Sequence, residues 1–183
     1  MVYAALDYYN QAKIIPAQTD KPADHTPLSD YFFLRWKDAA FSNGDKWGEL
    51  FVNPFGWRTG EFFNWGLQST GGGRIQELKL GINNGQPISL GLFREGSGGT
   101  APHHVVLAIG YNMGSYSGDL NDNKANKESF RIYVYNPNSH DKVDVLRPNV
   151  NGNFYYLESD PSAHYTTYFV DSKYRVKMPP DIR

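Results

Sequence analysis

Apolar residues recur every three or four positions through the first half of the chain, which is the period of an amphipathic helix. Thr26 and Pro27 supply a hydroxyl N-cap followed by proline at the first helical position, so a helix is expected to begin there. Asn43-Gly44 would end it. On this pattern the sequence predicts five helices, over residues 1–11, 27–40, 46–51, 60–67 and 74–83.

The period changes near residue 85, where short apolar or alternating runs replace the helical pattern. The chain after His104 is nearly all apolar as far as Tyr111, which predicts a strand buried on both faces. Residues 112–127 are polar and predict a long loop. Strands are predicted over residues 87–93, 103–111, 130–135, 143–147, 154–157 and 167–176.

Helices followed by strands predict the α+β class, with a helical layer packed on a mostly antiparallel sheet of about six strands. The 183 residues contain no internal repeat and no linker, so a single domain over residues 1–183 is expected. Its helical part would be residues 1–84 and its sheet part residues 85–183.

The charge balance argues against nucleic acid as a partner. Eighteen basic and 19 acidic side chains give a net charge of −1, without the clustered basic surface that phosphate binding needs. The sequence has no run of about 18 apolar residues, so no membrane span is predicted. The first residues lack the basic segment of a signal peptide, so the cytoplasm is the default expectation.

The chain contains no cysteine. Disulfides, thiolate metal sites and a cysteine nucleophile are therefore excluded within these residues. Glycine-rich residues 96–99 precede a strand, whereas a phosphate-binding loop precedes a helix. Residues 119–123 resemble the start of a calcium loop, but Lys124 stands where that loop needs glycine and Phe130 where it needs an acid. A solvated loop is the better interpretation.

Histidines are the remaining candidate metal ligands. His103 and His104 are neighbours on a predicted strand, and His140 or His164 could supply further donors. Neighbouring strand residues point to opposite faces, so His103 and His104 cannot chelate one ion together in regular geometry. We therefore predict no metal site and no cofactor.

His104 opens the predicted buried strand, and Asn136 ends the next one. Two adjacent antiparallel strands, joined by the loop over residues 112–127, would bring the two side chains together. Such a histidine can act as a general base when an amide or a carboxylate holds its second nitrogen. The alternative is a structural histidine, with Asn136 as the first residue of a turn that continues to Ser139.

Three segments of the second half form a series: Gly85-Gln86-Pro87-Ile88-Ser89-Leu90-Gly91-Leu92, His104-Val105-Val106-Leu107-Ala108-Ile109-Gly110-Tyr111 and Ile132-Tyr133-Val134-Tyr135-Asn136-Pro137-Asn138. The series resembles papain-like cysteine peptidases, in the branch similar to bacteriocin-processing peptidases. That branch has a G-x-P-V-x-L-G-L strand, an H-x-V-L-A-x-G-Y strand and a Y-D-P-N strand end.

The resemblance implies a papain-like fold and thiol hydrolase chemistry, of the peptidase or amidase type, on a peptide or amide substrate. His104 would be the base and Asn136 the residue that orients it; the branch commonly has Asp there, while papain itself has Asn. Residues 1–9 resemble the stretch that follows Cys-Gly-Gly in this group, so the nucleophile would lie about three residues before Met1.

Three hypotheses remain open at this stage. The chain is a truncated form of an active thiol hydrolase, or it is a non-catalytic relative, a pseudoenzyme that binds peptide or glycan in the old groove. The third is an enzyme with Ser97 or Thr100 as nucleophile, although a nucleophilic serine usually sits on a strand-to-helix elbow that this loop lacks. The binding hypothesis is suggested by the aromatic residues Trp36, Trp47, Trp57 and Trp65.

Overall fold

The computed structural model describes residues 1–14, 22–94, 103–139 and 142–181. Within them the helices are α1 (Val2–Asn10), α2 (Pro27–Ser42), α3 (Gly44–Phe51), α4 (Thr59–Leu67), α5 (Arg74–Asn83) and α6 (Lys124–Lys127), with a 3-10 turn at Pro54–Gly56. The strands are β1 (Ile88–Phe93), β2 (His104–Asn112), β3 (Arg131–Tyr135), β4 (Val143–Asn149), β5 (Phe154–Leu157), β6 (Asp160–Tyr165) and β7 (Thr167–Val170).

The predicted α+β class and the antiparallel sheet are confirmed. The sheet has seven strands in the order β6-β5-β4-β3-β2-β1-β7, and every pairing is antiparallel. All five predicted helices are present, and Thr26 caps α2 by accepting a hydrogen bond from the backbone N–H of Ser29 at 3.2 Å. In the described part of the chain no helix is both long and apolar enough to cross a membrane.

Four parts of the sequence-based prediction were wrong. Strand β6 was missed, and the predicted last strand ends at Val170 instead of continuing to position 176. The one-turn helix α6 lies in what was predicted as a loop. Strand β2 is not buried on both faces, since the Ile109 side chain is 43% exposed.

The chain divides into two compact units. The first consists of Met1–Asp45 together with Ser172–Arg183, and the second of Lys46–Asp171. The first therefore combines the start of the chain with a C-terminal segment (residues 172–181) that contains neither helix nor strand. The second contains the whole sheet together with α4, α5 and α6.

The first unit is organised around Asp7 of α1, which is fully buried. Its carboxylate accepts hydrogen bonds from the hydroxyls of Tyr31 at 2.6 Å and Tyr174 at 2.7 Å, and from the backbone N–H of Lys177 at 2.8 Å. The buried guanidinium of Arg35 donates two more, at 2.5 and 3.1 Å. This network joins α1 to α2 and to the C-terminal segment.

In the second unit, apolar side chains lie on both faces of the sheet. Because side chains alternate along a strand, Leu90 and Leu92 of β1 face one side and Phe93 faces the other. The main core forms on the first side, where strand residues pack with Phe63, Leu67, Ile75 and Leu78 of α4 and α5. A smaller cluster contains Leu50, Phe62, Phe93 and Phe169, with Trp47 and Trp65 packed against it.

Candidate functional site

His104 and Asn136 lie side by side at one end of the sheet. His104 is the first residue of β2, and Asn136 directly follows β3. Leu107 is paired with Tyr135, so continuing this register by one step sets Asn136 opposite Val106, on the face that also carries His104. His104 Nε2 and Asn136 Oδ1 are 2.9 Å apart. The contact expected from the sequence is therefore present.

The orientation of the Asn136 amide is fixed from both ends. Its Nδ2 donates to the Asp144 carboxylate at 3.0 Å, and its Oδ1 accepts the backbone N–H of Asn138 at 3.0 Å. A flipped amide would set like groups against each other at both contacts. Since Oδ1 can only accept, the hydrogen bond with His104 requires a proton on Nε2. The neutral ring then carries its lone pair on Nδ1.

Asp144 lies on β4 opposite Val134, in the inward phase of the strand, and is buried. Its Oδ1 accepts backbone N–H groups from Val145 at 2.8 Å and Ser159 at 3.1 Å. Its Oδ2 accepts the Ser159 hydroxyl as well as the amide of Asn136. Burial opposes the ionisation of Asp144, but hydrogen bonds from Ser159 and Asn136 outweigh it and lower the pKa of this carboxyl.

The His104 ring is held neutral near pH 7. Burial lowers the pKa of His104 below its ordinary value, against the hydrogen bond with Asn136 and the charge of Asp144, which both raise it. A neutral imidazole with Nε2–H bound to an amide and a lone pair on Nδ1 can accept a proton from an acidic group. The arrangement can therefore serve as a general base.

His103 points to the other face and takes no part in this arrangement. Its ring stacks on Phe93 with centroids 4.9 Å apart and lies 5.1 Å from Trp47 and 5.2 Å from Phe51. Its Nδ1 accepts the backbone N–H of Arg94 at 3.3 Å, while its buried Nε2 has no hydrogen-bond partner among the described residues. This ring is part of an aromatic cluster.

His164 and His140 are the other candidate metal ligands of the sequence. His164 stacks on Phe154, and His140 lies outside the described residues. No group of three or more His, Cys, Asp or Glu that could hold a metal occurs in the part of the chain that the structure describes. In the loop proposed and rejected as a calcium site, the Asp122 carboxylate accepts hydrogen bonds from Ser117 and Asn126.

The four tryptophans of the binding hypothesis divide into two kinds. Trp47 and Trp65 pack against the smaller core cluster. Trp36 and Trp57 are 58% and 76% exposed, and Trp57 stacks with Phe55, which is 90% exposed, at 5.7 Å. Residues 96–99, with Ser97, and Thr100 lie outside the described residues.

Comparison with known proteins found no relative. No protein-family model, curated protein or solved structure matches the chain. The resemblance to papain-like peptidases therefore rests on the three segments and on the chemistry that their residues allow. The catalytic roles of His104 and Asn136 stay predictions.

Sequence reasoning missed Asp144 and Ser159. A signal for Asp144 was present, because Val143 to Leu146 alternate so that Asp144 falls in the same phase as the buried Leu146. A charged residue in the inward phase of a strand needs hydrogen-bonding partners. Ser159 follows β5 and carries no comparable pattern.

Proposed function

We propose that the chain is a papain-like hydrolase domain of the cysteine peptidase or amidase type that lacks its nucleophile within these 183 residues. His104 would be the general base and Asn136 the residue that orients it. The observation that carries the proposal is the 2.9 Å contact between His104 Nε2 and Asn136 Oδ1, with the amide fixed so that the lone pair of the neutral ring lies on Nδ1.

In this function His104 Nδ1 would accept the proton of a thiol, and the thiolate would attack the carbonyl carbon of a peptide or amide bond. Asn136 would keep the ring in position while the imidazolium forms. Without a thiol no acyl intermediate can form. These 183 residues should therefore show no thiol-dependent hydrolysis.

The test adds the missing thiol. The chain is extended by Cys-Gly-Gly before Met1, as the resemblance predicts, and the rate of alkylation by iodoacetamide is measured at acidic pH. A thiolate stabilised by protonated His104 should react about tenfold or more faster than the same thiol in a His104→Ala variant. Alkylation needs no knowledge of the substrate, and hydrolysis of a panel of fluorogenic peptide amides is measured in parallel.

A Ser-Gly-Gly extension is the matched control and should show neither alkylation nor thiol-dependent hydrolysis. If the added cysteine reacts at the same rate with and without His104, the proposed function is wrong. Turnover by the unextended chain that iodoacetamide abolishes would contradict the assignment in a different way, because that chain has no cysteine.

The exposed pair Phe55 and Trp57 favours a second candidate, a non-catalytic module that binds peptide or glycan. Stacked, exposed aromatic rings offer flat apolar surface to a ligand. Peptide and oligosaccharide libraries should then shift the tryptophan fluorescence of the protein, and Trp57→Ala should remove the shift. Absence of any ligand in both libraries would rule out this candidate.

A further inference from the structure

The carboxylate of Asp144 lies next to His104 and Asn136 but has no role in the proposed function. Its two oxygens have different surroundings. Oδ1 accepts two backbone N–H groups, which have no alternative orientation, whereas Oδ2 accepts two side-chain donors, the amide of Asn136 and the hydroxyl of Ser159. The orientation of Asp144 is thus set by the backbone.

The effect of this carboxylate passes to His104 through Asn136. A pure acceptor at Oδ2 turns Nδ2 of Asn136 towards Asp144, and Oδ1 is then directed at His104. The amide and the carboxylate are both nearly inaccessible, at 3% exposure each, so water competes little for these hydrogen bonds. Reversing the amide would therefore leave buried groups without partners.

We infer that Asp144 is a positioning residue of the site, which acts through the Asn136 amide to hold His104 in the tautomer with its lone pair on Nδ1. The inference rests on the proposed function only in giving Nδ1 a task, since the tautomer can be measured without any reaction. The branch that the chain resembles commonly has an aspartate next to the histidine. In this chain the carboxylate lies one hydrogen bond further away.

The charge of Asp144 acts in the same direction as its hydrogen bond. Among the described residues, Asp144 is the one charged group found to act on His104, and its charge favours the protonated ring against the effect of burial. When His104 takes a proton from a thiol, the N–H bond forms at Nδ1 as the S–H bond breaks. The Nε2–H group of His104 keeps its hydrogen bond to Asn136, and Asp144 stays ionised.

Asp144→Asn tests the inference sharply because the new amide has one orientation available. Its oxygen must stay on the backbone N–H groups of Val145 and Ser159, so its NH₂ group faces the NH₂ group of Asn136. Asn136 then either flips, and donates to His104 Nε2, or loses its fixed orientation. In both cases His104 should move towards the tautomer with its proton on Nδ1, and its pKa should fall.

The measurement is long-range ¹H–¹⁵N NMR of the histidine rings in the ¹⁵N-labelled full chain as a function of pH. Asp160→Asn is the matched control, because Asp160 also accepts a hydrogen bond from a serine hydroxyl, that of Ser162, but is exposed. The control should leave the tautomer and the pKa of His104 as they are. Asp144→Asn should change both.

An unchanged His104 tautomer and pKa in folded Asp144→Asn would overturn the inference. A wild-type His104 ring with its proton on Nδ1 would overturn it without any variant, which covers the case in which Asp144→Asn does not fold. The outcome is separate from the alkylation test. A tautomer change with no effect of His104 on the added cysteine leaves Asp144 as a positioning residue and refutes the hydrolase function.

Discussion

The surrounding hydrogen bonds explain why residue 136 is an asparagine. Asn136 accepts from His104 and from the backbone N–H of Asn138, and it donates to Asp144. A carboxylate could accept the first two bonds but could not donate the third. Asp144 therefore explains why this chain has Asn136 where the peptidase branch that it resembles commonly has aspartate.

Asn136→Asp should destabilise the protein near neutral pH, by roughly 1 to 3 kcal/mol. Two carboxylates would face each other across a contact that is 3.0 Å long in the wild type, and the folded state would retain a proton that the unfolded chain releases. Stability should therefore fall as pH rises above about 4. Urea unfolding at several pH values measures this, with Asn138→Asp, at an exposed neighbour, as the control.

A second prediction concerns acid sensitivity. Burial lowers the pKa of His103, so the folded protein keeps this ring neutral where the unfolded chain binds a proton. The free energy of unfolding should then fall as pH decreases through about 6.5. His104 contributes in the same direction, because its pKa is also lowered by burial.

His103→Phe should reduce this pH dependence, because phenylalanine fits an aromatic cluster and removes the buried Nε2 that lacks a partner in the described part of the chain. Thermal unfolding followed across this pH range is the measurement. His25→Asn, at an exposed histidine, should retain the wild-type dependence. A His103→Phe curve that coincides with the wild-type curve would contradict the argument.

At the scale of elements, β1 and β7 can pack because position 91 has no side chain. Gly91 is paired with Phe169, and a Cβ built at Gly91 would overlap the Phe169 ring. That ring makes an edge contact with Trp47, with centroids 4.7 Å apart, so it has little freedom to move. The glycine of the Leu90-Gly91-Leu92 segment is explained by this close approach.

Gly91→Ala should therefore destabilise the protein by roughly 1 to 3 kcal/mol. Gly48→Ala is the matched control, because Gly48 lies in α3 and a Cβ built there meets no atom within 4 Å. This control should gain about 0.5 to 1 kcal/mol from helix propensity. Equal effects of the two substitutions in urea unfolding would show that the Phe169 contact does not limit position 91.

Most elements were predictable because their signals are local. The apolar period, with the cap at Thr26, predicted the five helices, and short apolar or alternating runs predicted five of the seven strands closely. Strand β6 was missed because it contains Pro161 and exposed polar residues, a composition that is tolerated at a sheet edge. The last strand was predicted to run to residue 176 for a different reason. The residues from Ser172 onward belong to the first unit.

Half of the candidate site was predictable for the same reason. His104 and Asn136 stand at the ends of two recognisable neighbouring strands, so their contact follows from antiparallel pairing. Asp144 and Ser159 depend on the pairing of β3 with β4 and β4 with β5, whose registers are set by packing across the sheet. The alternation along β4 places Asp144 inward, but no local pattern in the chain specifies those registers.

At the scale of the whole molecule, each unit has its own source of stability. The second unit has a continuous apolar core, whereas the first contains a buried ionic network around Asp7 and Arg35. Replacing one member of such a pair leaves the other charge buried and only partly compensated. The first unit should therefore be sensitive to loss of a single charged group.

Asp7→Asn should lower the free energy of unfolding by about 3 kcal/mol. Asp38→Asn should have a smaller effect, because the Asp38 side chain is 30% exposed although it also pairs with Arg35. Differential scanning calorimetry of both variants measures the difference. Equal losses would mean that burial of the Asp7 carboxylate does not decide its contribution.

The C-terminal segment has a practical consequence for anyone who handles this protein. Tyr8 and Lys13, close to one terminus, donate hydrogen bonds to the carbonyl oxygens of Pro180 and Pro179, close to the other. Proteolytic removal of residues 179–181 would thus disturb the opening helix. An expressed form that ends before Pro179 would lack the carbonyl oxygens that accept hydrogen bonds from Tyr8 and Lys13.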